Sequence, residues 1–198
     1  MTCPLRAIAV AATVWLGLAS VALAQPTAAP APPPTTTPSP TPSNEPFGEP
    51  VTLTAKTIVF IKGNGNWDNA FETLLDAYKS LYAFLDKQGV KPAGPAMTIY
   101  TAANDTGFSF QAAVPIAAED LKDPPKGDIA VGKSPTGRAL KFSHRGSYDS
   151  MDNTYEAITN YLDERQLEAQ DLFVEEYRTD LLKTPEDKLE IDIYVPLK

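Results

Sequence analysis

Glu175-Glu176-Tyr177 and Ile191-Asp192-Ile193-Tyr194 are the stretches of this chain whose residue types could do chemistry. They place carboxylates beside phenols on two segments that read as strands. A carboxylate attracts a cation, and an aromatic face adds a cation–π contact. A carboxyl enclosed by aromatic rings also tends to gain a raised pKa, which suits either a cation sensor or a general base. Period two along Leu172–Thr179 puts Leu172, Val174 and Glu176 on one face and Phe173, Glu175 and Tyr177 on the other. Along Leu189–Val195 it separates Leu189, Ile191, Ile193 and Val195 from Glu190, Asp192 and Tyr194. If the apolar faces meet helices, the open face carries Glu175, Glu190, Asp192, Tyr177 and Tyr194 together. Thr98 and Tyr100 extend that face and Gln111 joins it. Trp67 and Tyr148 stand at matched strand-to-helix turns. The candidate ligand-binding set is therefore Glu175, Tyr177, Tyr148, Trp67, Tyr100, Asp192 and Tyr194. A solvated sheet face with scattered charges would show the same pattern.

Other chemistries find less support. His144 is the single histidine, and a zinc site lacks partners for it. It reads as a strand-end residue, with a place in a pocket as the alternative. No G-x-S-x-G elbow is present for a serine-hydrolase triad. Gly127-Asp128-Ile129-Ala130-Val131-Gly132-Lys133-Ser134 fits the phosphate-loop pattern, but Pro124-Pro125 precede it, Pro135 follows it, and a strand comes next. Without a strand before and a helix after, the loop has no helix N-terminus to offer a phosphate, so it reads as a crossover. No metal and no cofactor are expected.

The elements that would position these residues follow from periodicity. Thr57–Lys62 is a β-branched and aromatic run and predicts a strand, with Gly63-Asn64-Gly65-Asn66 as a turn. Phe71, Leu74, Leu75, Tyr78, Leu81, Tyr82 and Leu85 keep helical spacing, ended by Gly89. Asn69 with Glu72 has capping-box spacing. Met97–Thr101 and Phe108–Val114 are strands joined by an Asn104–Gly107 turn, and Ala117–Gly137 crosses over. Leu140–His144, a Gly-Ser-Tyr turn and a helix bearing Met151, Tyr155, Ile158 and Leu162 then repeat the order. Gly65-Asn66-Trp67-Asp68 matches Gly146-Ser147-Tyr148-Asp149, and Phe108, Phe110, Val114 and Pro115 match Leu189, Ile191, Val195 and Pro196 at the same offset. The expected fold class is α+β: two βαββ repeats, about 51–116 and 138–198, related by a pseudo-two-fold. Antiparallel sheets would pack on two long helices, with a ligand cleft between the halves.

The N-terminal part reads differently. Residues 1–24 run from Arg6 through an apolar stretch to Ala22-Leu23-Ala24, which predicts a signal peptide cleaved after Ala24 and a periplasmic or secreted protein. Cys3, the single cysteine, would leave with it. Residues 25–50 hold ten of the 19 prolines among Thr, Ser and Ala, the composition of an extended, disordered tether. Without Arg6 the net charge moves from −8 to about −9. That balance disfavours nucleic acid, since phosphate neutralisation needs clustered Lys and Arg. No membrane span is expected after cleavage.

His144-Arg145-Gly146-Ser147-Tyr148, then Glu175-Glu176-Tyr177, then Ile191-Asp192-Ile193-Tyr194-Val195-Pro196-Leu197 resemble the GyrI-like small-molecule-binding domain, the effector-binding part of AraC- and MerR-type multidrug regulators. The resemblance covers about residues 51–198. It implies two βαββ repeats around a cleft in which a buried glutamate meets lipophilic, cationic compounds. Glu175 matches the glutamate of the family's E-x-Y motif and Tyr177 its tyrosine. Glu176 stands where the family often has an apolar residue, so which of the two glutamates faces inward is open. No helix-turn-helix precedes the domain, which points to a ligand met outside the cytoplasm. Three functions compete: an exported binding protein for a lipophilic or cationic molecule, an envelope protein-interaction or inhibitor module, and a hydrolase using Glu175 with Tyr148.

Overall fold

A computed structural model of the protein describes residues 47–125 and 127–198. The expected signal peptide and most of the expected tether lie outside the described residues. The described residues form eight strands: β1 Glu49–Leu53, β2 Thr57–Asn66, β3 Met97–Asn104, β4 Gly107–Pro115, β5 Ile129–Lys133, β6 Gly137–Gly146, β7 Phe173–Tyr177 and β8 Leu189–Pro196. Two long helices accompany them, α1 Ala70–Gln88 and α2 Met151–Glu164. The strands form one antiparallel sheet in the order β1-β6-β8-β7-β3-β4-β2-β5, where separate sheets were expected. Mixed α and β content is as predicted.

Several local expectations need correction. Glu49 and Pro50 belong to β1, which pairs with β6, and so are not tether. Gly63–Asn66 is no turn: β2 runs through it, paired with β4 as far as Asn66 opposite Gly107. The glycines are there for the neighbouring rings. A Cβ on Gly63 would stand 2.5 Å from Phe110 Cζ, and one on Gly65 2.7 Å from Phe108 Cζ. The Asn69 side chain makes no cap; Asn66 Oδ1 accepts from Asn69 N–H at 3.2 Å and caps the 3-10 turn that opens α1. The crossover after Ala117 contains β5, an edge strand on β2, so Ile129–Lys133 of the phosphate-loop match is strand and not loop.

α1 buries Leu74, Tyr78, Leu81 and Leu85 of the stripe its spacing predicts, and Ala70 besides, while Phe71, Leu75 and Tyr82 are half-buried. Each fully buried Leu contributes about 1.5–3 kcal/mol of apolar transfer. Gly89 ends the helix at φ 70°, a conformation that costs glycine little. α2 buries Met151 and Ile158. Both helices cover the sheet face that carries Tyr100, Phe110, Ile191 and Ile193.

The opposite face holds a second apolar cluster of Ile58, Met97, Ile99, Ala113 and Val174. Its covering follows from chain length. β1 and β2 stand six strand spacings apart in the sheet, roughly 29 Å if it were flat. Leu53 and Thr57 are four Cα steps apart, at most about 15 Å. The sheet must therefore curl, and residues 54–56 and 134–136 strap its two ends together. The straps clasp each other: Lys56 N–H donates to Ser134 Oγ and Ser134 N–H to the Lys56 carbonyl, both at 2.9 Å.

Candidate functional site

Cross-strand register decides which side chains meet. Glu175 lies opposite Ile193 and Tyr177 opposite Ile191, so both share the helix-facing side with the apolar set of β8. Thr98 lies opposite Glu175 and Tyr100 opposite Phe173, which brings them to the same side. Val174 pairs with Tyr194 and Glu176 with Asp192, on the strapped face. The expectation that Glu175, Tyr177, Asp192 and Tyr194 share one open face is thus wrong. Asp192 and Tyr194 stand behind the sheet from Glu175, and Gln111, opposite Ile99, stands there with them. Of the two glutamates, Glu175 takes the helix side and Glu176 the other.

Glu175 is 1% exposed, and four phenols surround its carboxylate. Tyr177, Tyr100 and Tyr148 hydroxyls approach Oε2 at 2.9, 3.1 and 3.2 Å. Tyr155 donates to Oε1 at 2.7 Å. The Tyr100 and Tyr148 hydroxyls are 2.7 Å from each other. Behind Tyr177 the chain of hydroxyls continues to Thr98 and then to Tyr78, each step 2.9 Å. Since the carboxylate only accepts, Tyr177 donates to it. Its oxygen then accepts from Thr98, whose own oxygen accepts from Tyr78. Burial pushes the Glu175 carboxyl above the usual glutamate value, and the four phenol hydrogen bonds hold it down. Burial, and then the Glu175 charge, push Tyr100, Tyr155 and Tyr177 well above 10, and Tyr148 likewise. All four remain donors at any physiological pH.

Thr98→Val tests the chain. It leaves the buried Tyr78 hydroxyl without its partner, an expected loss of about 1–3 kcal/mol. Adding Tyr78→Phe removes that orphan, so the double variant should recover part of the loss in a denaturant-unfolding cycle.

Glu175 forms the floor of a cavity of about 390 Å³ between the N-terminal ends of the two helices. Six aromatic residues line it: Trp67, Phe71, Tyr100, Tyr148, Tyr155 and Phe173. Phe71 stacks on Tyr148 at 5.1 Å and Tyr100 on Phe173 at 4.6 Å. Trp67, 43% exposed, stands at the mouth, its Nε1 donating to the Asn104 carbonyl at 2.7 Å. Asp68, Glu72, Asp149, Asp152 and Glu186 add carboxylates, and among the described residues the lining holds no Lys, Arg or His. The acidic first turns offset the partial positive charge of the two helix N-termini.

Five of the expected residues therefore converge: Glu175, Tyr177, Tyr148, Tyr100 and, at the mouth, Trp67. Tyr177 holds the carboxylate from behind and does not line the cavity. Tyr155 and Phe71 lie outside the expected set because they fit apolar helix periodicity, and Phe173, which alternation places on the Glu175 face, because a lone Phe there reads as core. A signal existed: Tyr155 follows Tyr148 by seven residues, and Phe71 follows Trp67 by four, both spacings that keep one helix face. His144 is a structural strand-end residue. Its Nε2 lies 3.1 Å from the Ser147 carbonyl and its Nδ1 2.8 Å from Thr154 Oγ1. Burial lowers its pKa, so the neutral ring donates to the carbonyl and ties β6 to α2. No group of three or more metal-ligating side chains occurs among the described residues.

A family model described as GyrI-like small molecule binding domain matches residues 49–198. The chain belongs to that family. Among solved structures, this GyrI-like domain is similar to EcmrR in its DNA complex, with a TM-score of 0.65 at 13% identity over 76% of this chain; the match spans 57% of that chain. The crystal structure of the EcmrR C-terminal domain alone matches at 0.58 over 96% of its length. SAV2435 bound to tetraphenylphosphonium matches at 0.54 and 17% identity over 76% of this chain and 93% of that one. A hydrolase from Listeria innocua matches at 0.54 and 14% over 78% and 94%. At these identities the likeness establishes the fold. No curated protein matches the sequence.

Proposed function

We propose that this GyrI-like protein is an exported binding protein for lipophilic organic cations, held in the cavity above Glu175. One observation carries the reading: a buried carboxylate, ringed by four phenols, floors an aromatic cavity with no cationic side chain among the described residues of its lining. Such a floor offers charge to a ligand whose body lies on aromatic faces. That SAV2435 was solved with tetraphenylphosphonium supports the choice of ligand class. Export rests on the apolar leader over residues 1–24 and on the Pro-rich stretch after it. The protein would then meet its ligand outside the cytoplasm. The pseudo-two-fold relation of the halves is part of the same proposal. Its support is that β2-α1-β3-β4 and β6-α2-β7-β8 run in the same element order, with the cavity between the two helix starts.

A hydrolytic reading has one observation in its favour: the raised carboxyl of Glu175 stands 3.2 Å from the Tyr148 hydroxyl. Titration with tetraphenylphosphonium, followed by calorimetry and by melting temperature, separates the readings. Saturable one-site binding with a raised melting temperature is expected. Absence of binding together with turnover of an ester panel would replace the proposal with the hydrolase, and absence of both would turn attention to protein partners.

A further inference from the structure

β7 has a pocket on each side. On the strapped face a second cavity of about 330 Å³ lies between the straps and the sheet. Val174 and Met97 form its apolar floor, with Tyr194 beside them, and Lys56 and Ser134 of the two straps stand over it. We propose that this cavity is a second small-molecule site, for a compact amphipathic molecule with a carboxylate or similar oxygen-acceptor head.

The balance of donors and acceptors points to that head. The carboxylates at the cavity are already engaged: Glu176 Oε2 lies 2.7 Å from Lys56 Nζ, and Glu49 Oε2 3.0 Å from Lys141 Nζ. Several donors are not. Ser134, 8% exposed, accepts from Lys56 N–H, and its own hydroxyl proton has no acceptor among the described residues. The Tyr194 hydroxyl has no hydrogen-bond partner there either, and burial with Glu176 and Asp192 nearby lifts its pKa to about 12, which keeps its proton on. Lys56 commits one ammonium proton to Glu176 and holds three. Hydroxyl and ammonium donors over an apolar floor suit an apolar body ending in oxygen acceptors, while the two carboxylates of the lining, already paired with Lys56 and Lys141, offer less to a cation. The ligand class is opposite in charge to that of the Glu175 cavity, one residue away along the strand.

Octanoate is the probe, with octylammonium as its charge-reversed match. In ¹H–¹⁵N NMR of the protein, octanoate should give saturable shifts at the amides of Lys56, Ser134 and Lys141 and leave those of Phe71 and Tyr148 unmoved. Octylammonium should not move the first set. Tyr194→Phe keeps the ring and removes one donor, so octanoate affinity should fall roughly two- to tenfold, and tetraphenylphosphonium affinity should stay as it was. Ser134→Ala is a second variant with the same expected direction. Shifts that fail to saturate, shifts confined to Phe71 and Tyr148, equal response to octylammonium, or unchanged octanoate affinity in both variants would each overturn the proposal.

Discussion

Glu175→Gln is expected to weaken binding of a lipophilic monocation by at least about thirtyfold while raising the melting temperature at neutral pH. The first effect follows from burial. Removing one partner of a desolvated charge pair costs about 2–5 kcal/mol, and each 1.4 kcal/mol is tenfold in affinity. The second follows from the direction of the Glu175 shift. Burial raises its folded pKa above the ordinary glutamate value, so the folded protein holds that proton to higher pH than the unfolded chain does. The stabilisation from holding it is full below the unfolded pKa and is lost as pH rises through the folded pKa. At neutral pH the ionised carboxylate is a cost. Glutamine, the neutral isostere, avoids that cost; its carbonyl still accepts from the phenols at one oxygen position, and its amide N–H donates to the phenol oxygen at the other. Calorimetric titration and thermal melts on the same sample check both halves. The melting-temperature advantage should shrink as pH falls below the carboxylate range. Cation affinity of the unaltered protein should fall over the same descent as Glu175 takes up its proton.

Ile193→Ala should lower stability by about 2–5 kcal/mol, the range for emptying a buried aliphatic site. Ile193 is 0% exposed and lies directly opposite Glu175 across the β7–β8 pair. The space it leaves adjoins the carboxylate. Water admitted there would ease the desolvation of Glu175, so its pKa should move back toward the ordinary value. Denaturant unfolding measures the first consequence, and ¹³C-detected titration of the Glu175 side chain the second. A large stability loss with an unmoved Glu175 pKa would show that the cavity closes or stays dry.

Much of the fold was legible because its pattern is local. The α1 stripe from Leu74 to Leu85, the Gly89 stop and the alternation of β8 all follow from residue spacing. What spacing does not contain is register. Alternation along β7 correctly separates Glu175 from Glu176, yet nothing in either strand says which of them pairs with Ile193. Pattern reading sends charge outward, and here the core face takes a carboxylate because four phenols from α2, β3, β7 and the turn before α2 enclose it. The same blind spot hid Tyr155, which reads as one more apolar helix position. Gly63 and Gly65 read as a turn in the sequence because the Phe rings that need their missing Cβ atoms come from a distant strand. The straps at residues 54–56 and 134–136, and the cavity behind β7, depend on the strand order of the whole sheet.

The central claim is that Glu175 is the counter-charge of a cation seated among the aromatic residues between the helix starts. A crystal structure of the protein with tetraphenylphosphonium tests it most directly. The account predicts the phosphonium centre above the Glu175 carboxylate, with its phenyl groups against Phe71, Tyr148, Tyr155 and Phe173. A cation bound elsewhere on the protein, with the Glu175 cavity empty at saturating ligand, would contradict it.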